Sequence, residues 1–384
     1  MKFLFLLNSG YPTQKAYGIT TKHTIQALIG LGEDVELWAP KSDFPFTENF
    51  EFKDTSVSKP TKNQLLSKVP VKGLLYLGFL WREISFSFRV VRKKRFLLKG
   101  NLVWVRDIPL AFWSDFLAKP NYVVLEVHHI PQGLQSVMLH LIAKRSNVIL
   151  AGISEKHSLT ISRRFKARNT VVTCPMAAPE SFYSVPIRAK NQIRTLGYVG
   201  KYTSSGNKNG ISNVLLQFAE AKLSIPELKL KFIGIEEERI EELMRDVNLL
   251  GFADSVEVLG HLSGDALQKE IIKIDVGLIP YPESKYNSNR FPIKSVEYAA
   301  LGITILATRT RAHVGLLSED FTYFYDSEIL TSLASSLSNI SSNVQEAHVK
   351  RLKARAWAET HSYPARVNNV LKEIERRGAD HFYS

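Results

Sequence analysis

A lysine and a glutamate, Lys294 and Glu297, stand three residues apart in the stretch NRFPIKSVEYAALGITILAT, which runs from Asn289 to Thr308. Pro292 opens what reads as a short helix, Gly302 closes it, and the β-branched residues that follow read as a strand. At this spacing the ammonium and the carboxylate share one side of the helix. As an exposed pair they contribute only ~0.3–0.5 kcal/mol. Near an electropositive helix start, the same two groups suit a phosphate and the two hydroxyls of a ribose. A second candidate, GYVGKYTSSGNKNGISN, follows an apolar strand and precedes a helix. Lys201, Lys208 and a run of amides free of bulky side chains offer what a diphosphate leaving group needs, although a solvated turn has the same composition. The third candidate, VVLEVHHIP, ends a strand with His128 and His129, which point to opposite faces if the strand persists. A histidine there is more often a hydrogen-bonded structural residue than a reacting one.

These groups must be positioned by the strands and helices that alternate along the chain. KFLFLLNS, DVELWAP, NLVWVRD, NYVVLEVHH, NVILAGIS and NTVVTCP form one series, and IRTLGYVGK, LKLKFIGI, SVEVLGHL, DVGLIPY and ITILAT form a second. Continuously apolar strands separated by helices predict parallel sheets covered on both faces. The polar stretch YSVPIRAKNQ (183–192) lies between the two series and reads as a linker. The expected fold class is α/β, with two doubly wound, Rossmann-like domains facing each other across a cleft. In such sheets ligands bind beyond the carboxyl ends of the strands, where all three candidates lie.

At 384 residues the chain is long enough for two such domains. Its lone cysteine, Cys174, excludes internal disulfides and Cys-based zinc sites, and a reducing cytosol is the expected compartment. MKFLFLLNSG suits a first strand better than a signal peptide, and no apolar run is long enough to span a bilayer. The net charge is +13, and the excess is localised. Residues 1–200 hold 28 Lys+Arg against 13 Asp+Glu, whereas residues 201–384 hold 22 against 24. An anionic partner is therefore expected for the first half alone. Phosphate-loop, G-x-G-x-x-G and nucleophile-elbow motifs are absent, as are a D-x-D pair and a metal-spaced histidine cluster, so no metal or cofactor is expected.

The segment from Lys68 to Gly100 departs from the alternation. Leu74, Leu77, Trp81, Ile84 and Phe88 recur at helical spacing, Arg82, Ser85, Arg89 and Arg92 mark another face, and RVVRKKR ends the segment. Such a helix either buries its stripe in the core or lies on an anionic membrane surface through Trp81, Arg89, Arg92, Lys93, Lys94 and Arg95.

Taken in order, these motifs resemble the nucleotide-sugar-dependent retaining glycosyltransferases of the GT-B fold, family 4 (group 1) type, over nearly the whole chain. YGITTKHTIQALIGLGEDVELWAP is similar to the family's glycine loop, first helix and second strand, and LEVHH to its strand-end histidine motif. LAGISEKHSLTISRRF with VVTCPMAAPESF resembles the segment leading to the interdomain crossover, and WAETHSYPARVNNVLKEIER the helix that returns to the first domain. The resemblance implies an acceptor-binding domain over 1–185, onto which a helix at about 364–384 packs back, and a donor-binding domain over 186–363. It places Gly18 near the diphosphate, His128 at the reacting sugar, Lys201 and Lys208 on the diphosphate, Lys294 near a phosphate and Glu297 on the ribose. Phe291 matches the family pattern. Asn289 stands where the family carries a glutamate that contacts the donor sugar, and Lys201 where it carries an arginine.

The implied partners are a nucleotide-sugar donor, a glycan or lipid-linked acceptor and an anionic membrane surface, without nucleic acid. The implied place is the cytoplasm, extending to the inner face of the membrane, in cell-envelope polysaccharide assembly. Two other classes fit less of the pattern. A GT-B-fold sugar-nucleotide epimerase needs acid–base carboxylates facing the sugar, which Asn289 disfavours. A non-catalytic nucleic-acid- or membrane-binding protein would use the basic half alone.

Overall fold

The computed structural model describes residues 2–13, 16–57, 72–169, 171–187, 192–204, 207–284, 287 and 291–382. The chain divides into two compact units, Met1–Met176 with Tyr363–Ser384, and Ala177–Ser362.

The first unit is built on β1 (Lys2–Leu6), β2 (Asp34–Ala39), β3 (Glu51–Asp54), β4 (Leu102–Val105), β5 (Tyr122–Val127), β6 (Val148–Gly152) and β7 (Val172–Thr173). They form one parallel sheet in the order β3-β2-β1-β4-β5-β6-β7. Alternate residues feed two separate cores. Leu4 and Leu6 join Val103, Val105, Val123 and Leu125 on one side, while Phe3 and Phe5 join Trp104, Val124 and Ile149 on the other. Burial on both faces is why these strands read as unbroken apolar runs. The exception is β3, whose Glu-Phe-Lys-Asp sequence is only partly covered, as suits a charged edge strand. The final helix, Tyr363–Phe382, contributes Val367, Val370, Leu371 and Ile374 to the second core. Arg377 fixes its far end by donating to the carbonyls of Ser146 and Val148 at 3.0 and 2.8 Å.

The amphipathic segment is a helix, Lys72–Leu98. Its buried residues include Leu80, Phe86, Val90, Val91 and Leu98, a face offset from the stripe expected from spacing. Trp81 is exposed, Ile84 and Phe88 are half-buried, and the side chains of Leu74 and Leu77 lie outside the described residues. Of the basic run, Lys94 sits 3.6 Å from the centre of the Trp38 ring, Lys93 donates to the Ser56 carbonyl, and Arg95 lies over Phe96. Arg89 and Arg92 are exposed.

The second unit holds β8 (Thr195–Val199), β9 (Thr203–Ser204), β10 (Asn207–Lys208), β11 (Lys229–Ile233), β12 (Val256–Leu259), β13 (Val276–Ile279), β14 (Thr304–Thr308) and β15 (Thr322–Tyr325). Six form a parallel sheet in the order β12-β11-β8-β13-β14-β15, and β9 and β10 make a small antiparallel hairpin. The unit begins at Ala177, ahead of the polar stretch, because residues 177–187 are tied to its own helix Val344–Glu359. Arg355 of that helix donates to the carbonyls of Tyr183 and Val185 at 2.8 Å each, and the Tyr183 hydroxyl donates to the Ala358 carbonyl at 2.9 Å.

In both sheets the strand order reverses direction once within the unit, between β1 and β4 and between β8 and β13. The loops leaving those strands flank the crevice where doubly wound sheets take ligands.

Candidate functional site

In the second unit, two loops meet at this reversal. The loop after β8 runs through Lys201, the β9–β10 hairpin and Gly210 into the helix Ile211–Ser224. Its backbone is held from three directions. The Lys201 carbonyl accepts from the Tyr198 hydroxyl and from Asn209 Nδ2, each at 2.8 Å, and the Tyr202 amide donates to Glu236 at 2.7 Å. Gly210 has φ +80°, and a Cβ there would stand 1.9 Å from the carbonyl oxygen of Pro280, just beyond β13. Only glycine meets both demands. The Lys201 side chain is exposed; Lys208 pairs through its backbone with Thr203, and its side chain lies outside the described residues.

The loop after β13 leads into the helix Ile293–Ala300. Pro292 takes the capping position rather than the first helical one, a shift of one residue. Lys294 Nζ and Glu297 Oε2 are 2.5 Å apart, with 19% and 10% of their side chains exposed. The pair is therefore not the solvated surface bridge its spacing also allowed. The helix is tied to β8 through the next residue: the Tyr298 hydroxyl accepts from the Val199 amide at 3.1 Å, two residues before Lys201. Phe291 is buried, its ring centroid 6.0 Å from that of His361. Asn289 lies outside the described residues.

The first unit builds a different centre at its own reversal. Arg106, just past β4, donates through one terminal nitrogen to the Tyr17 carbonyl at 2.9 Å and through Nε to His128 Nε2 at 3.1 Å. This arginine links the helix start that contains Gly18 to the strand-end histidine. Gly18 lies inside the helix Ala16–Gly30, where a Cβ would stand 2.3 Å from Thr13 Cγ2, so a close approach of the preceding loop accounts for it. Glu126 is fully enclosed. Its Oε1 accepts from Trp104 Nε1 at 2.8 Å and pairs with Arg366 at 2.6 Å, and its Oε2 lies 3.0 Å from His128 Nε2.

Burial pushes the His128 imidazole down to about 4, and the Arg106 guanidinium adds to that effect against the opposing pull of Glu126. Nε2 cannot both donate to Glu126 and accept from Arg106, so one tautomer satisfies each contact, and both are neutral. Burial alone would raise the Glu126 carboxyl, but Arg366, His128 and Arg106 outweigh it and hold the group well below the usual carboxylate range. Cys174, behind this cluster, is pushed up to about 12 by burial and stays a thiol at neutral pH.

Spacing singled out the lysines, Glu297 and His128 as candidates and gave no place to Arg106, Glu126, Trp104 and Arg366, which the structure gathers around His128. Two of these carried a usable signal. Glu126 lies two residues before His128 on one strand, hence on the same face, and Arg106 is the first charged residue after an apolar strand. Arg366 carried none, because its role depends on the last helix returning to the first sheet.

Residues 193–343, all within the second unit, match the family described as glycosyl transferases group 1. Among curated proteins, none matches the chain. Solved structures share its fold. A glycosyltransferase from Rickettsia africae ESF-5 is 14% identical over 98% of each chain, with a TM-score of 0.67. Anabaena Alr3699/HepE, in complex with UDP and glucose, is 14% identical over 97% of this chain and 98% of its own, with a TM-score of 0.67. WaaG, a glycosyltransferase involved in lipopolysaccharide biosynthesis, is 13% identical over 97% and 99%, with a TM-score of 0.65. The chain shares the two-unit α/β fold of these solved glycosyltransferases, and residues 193–343 of its second unit match the group 1 glycosyl transferase family.

Proposed function

We propose that the protein moves a sugar from a nucleoside diphosphate sugar to a hydroxyl acceptor, with retention at the anomeric carbon. The observation that carries this reading is the enclosed Lys294–Glu297 pair at the strand-order reversal of the second unit, next to the tethered loop that bears Lys201 and Lys208. Glu297 accepts the ribose hydroxyls, Lys201 and Lys208 hold the diphosphate, and Lys294 reaches a phosphate. In the reaction the bond between the anomeric carbon and the diphosphate oxygen breaks, the acceptor oxygen bonds to that carbon, and its proton leaves with the diphosphate or solvent. The lysines stabilise charge growing on the leaving group, and the reading invokes no metal. His128 offers a neutral imidazole to a sugar hydroxyl. Binding of UDP and glucose by the Anabaena structure supports a nucleotide sugar as donor.

The acceptor is proposed to be a lipid-linked glycan at the inner face of a membrane, in envelope polysaccharide assembly. The first unit supports this with 29 Lys+Arg against 15 Asp+Glu, whereas the second has 21 against 22. Incubation with UDP-, GDP-, ADP- and dTDP-sugars, reading nucleoside diphosphate release, tests the donor class. At least one sugar nucleotide should be cleaved. If none is cleaved or bound, the reading fails; conversion of the intact donor into its epimer would favour the epimerase instead.

A further inference from the structure

Arg106 stands at the strand-order reversal of the first unit with its side chain 15% exposed, and its guanidinium is divided between two partners. One terminal nitrogen donates to the Tyr17 carbonyl at 2.9 Å, Nε donates to His128 Nε2 at 3.1 Å, and the other terminal nitrogen lies 3.4 Å from His128 Nδ1. The fork thus meets both nitrogens of one imidazole while gripping the backbone at the start of the helix Ala16–Gly30. Tyr17 is tied in turn, its hydroxyl donating to the Gly10 carbonyl at 2.8 Å in the loop after β1. A continuous set of contacts therefore runs from that loop, through the helix start, to the end of β5. All three border the crevice where a doubly wound sheet takes its ligand.

Neutralising Glu126 does not explain this arrangement. Arg366 pairs with that carboxylate at 2.6 Å and Trp104 donates to the same oxygen, whereas Arg106 Nε stays 3.7 Å from the other oxygen. An arginine placed for ion pairing alone would turn its fork to the carboxylate, as bidentate pairs do. Arg106 turns it to a ring and a carbonyl. The charged groups facing His128 are Arg106 from the end of β4, Glu126 from its own strand and Arg366 from the final helix. The two arginines oppose a proton on the ring, and the carboxylate favours one. Burial is the main reason the ring stays unprotonated, and the Arg106 charge is the next. A lysine could not hold both partners, because a point charge has no fixed fork.

We propose that Arg106 is a positioning residue for the transfer reaction, holding the His128 imidazole in register with the loop after β1 and the helix start so that it meets the donor sugar in one orientation. The proposal rests on the reading of the reaction given above. In that reading the second unit binds the nucleotide, so loss of Arg106 should act on kcat and spare KM. Arg106→Gln should lower kcat about tenfold or more and change the donor KM by less than about twofold. Arg106→Lys, which keeps the charge beside Glu126, should lower kcat by a similar factor, and it carries the test if Arg106→Gln does not fold. In a His128→Gln background the same changes should cost less than about twofold, since the group they position is gone. Titration of His128 by NMR, without any donor, should move upward by about one unit or more in Arg106→Gln and stay near the wild-type value in Arg106→Lys. The acid limb of kcat should move with it. If wild type cleaves no sugar nucleotide, the reading of the reaction fails and the proposal fails with it. If donors are cleaved, the proposal alone is overturned by unchanged kcat in both variants, or by an equal loss with and without His128. A raised KM at unchanged kcat, or a His128 titration unmoved by Arg106→Gln, would overturn it too.

Discussion

The two strand-order reversals collect similar charges and spend them differently. In the first unit, Arg106, Glu126, His128 and Arg366 answer one another inside the protein, and the carboxylate is fully enclosed. In the second, the structure fixes the backbone of the loop after β8 and leaves the Lys201 side chain exposed, while the Lys294–Glu297 pair on the helix after β13 is largely enclosed. A buried, mutually satisfied network holds geometry; exposed cations on a rigid loop can exchange solvent for a ligand at small reorganisation cost. The contrast is between a fixed, internally paired centre in the first unit and cations left open to an anion in the second.

The largest effect should come from breaking the closed network. Glu126→Ala leaves Arg366 and Arg106 buried without their carboxylate and should cost the first unit about 3–5 kcal/mol. Urea unfolding should show an earlier transition, while sugar-nucleotide binding by the second unit persists. Next in size, Gly210→Ala combines positive φ with a clash on the Pro280 carbonyl and should cost about 2–4 kcal/mol. Here donor binding should suffer as well, because the displaced loop carries both lysines. Lys201→Ala should leave stability within ~0.5 kcal/mol, as expected for an exposed side chain. Its sugar-nucleotide affinity should nevertheless fall by about ten- to a hundredfold, the worth of a charge-assisted hydrogen bond, as read by calorimetry.

A further effect is in pH. His128 titrates near 4 in the folded state and near 6.5 unfolded, so between those values the unfolded chain binds more protons. Stability should fall as pH drops from about 6.5 to about 4, by up to ~1.4 kcal/mol per unit for this group. His128→Gln should remove one proton from that slope in a melting-temperature series. His157, brought to about 4 by burial, should keep a second.

Most of the fold is legible in the sequence because strands buried on both faces leave continuous apolar runs that no loop imitates. β3 is not, since an edge strand reading Glu-Phe-Lys-Asp carries no such run. The two-residue strands β9 and β10 are too short to leave a pattern at all. For the candidate sites, Lys294 and Glu297 are readable because a helix fixes i and i+3 on one side. The partners of His128 required knowing that β4, β5 and the last helix converge. The offset face of Lys72–Leu98 shows the same limit: helical spacing allows several apolar stripes, and the neighbouring elements decide which is buried.

The central claim is that Glu297 belongs to a nucleoside-diphosphate-sugar site in the second unit, and calorimetric titration of the cleaved donor into wild type and Glu297→Gln tests it most directly. The variant keeps the shape of the side chain and removes its charge. The expected result is donor affinity lower by about tenfold or more, with the melting temperature nearly unchanged. Equal affinity in the two proteins would contradict the assignment.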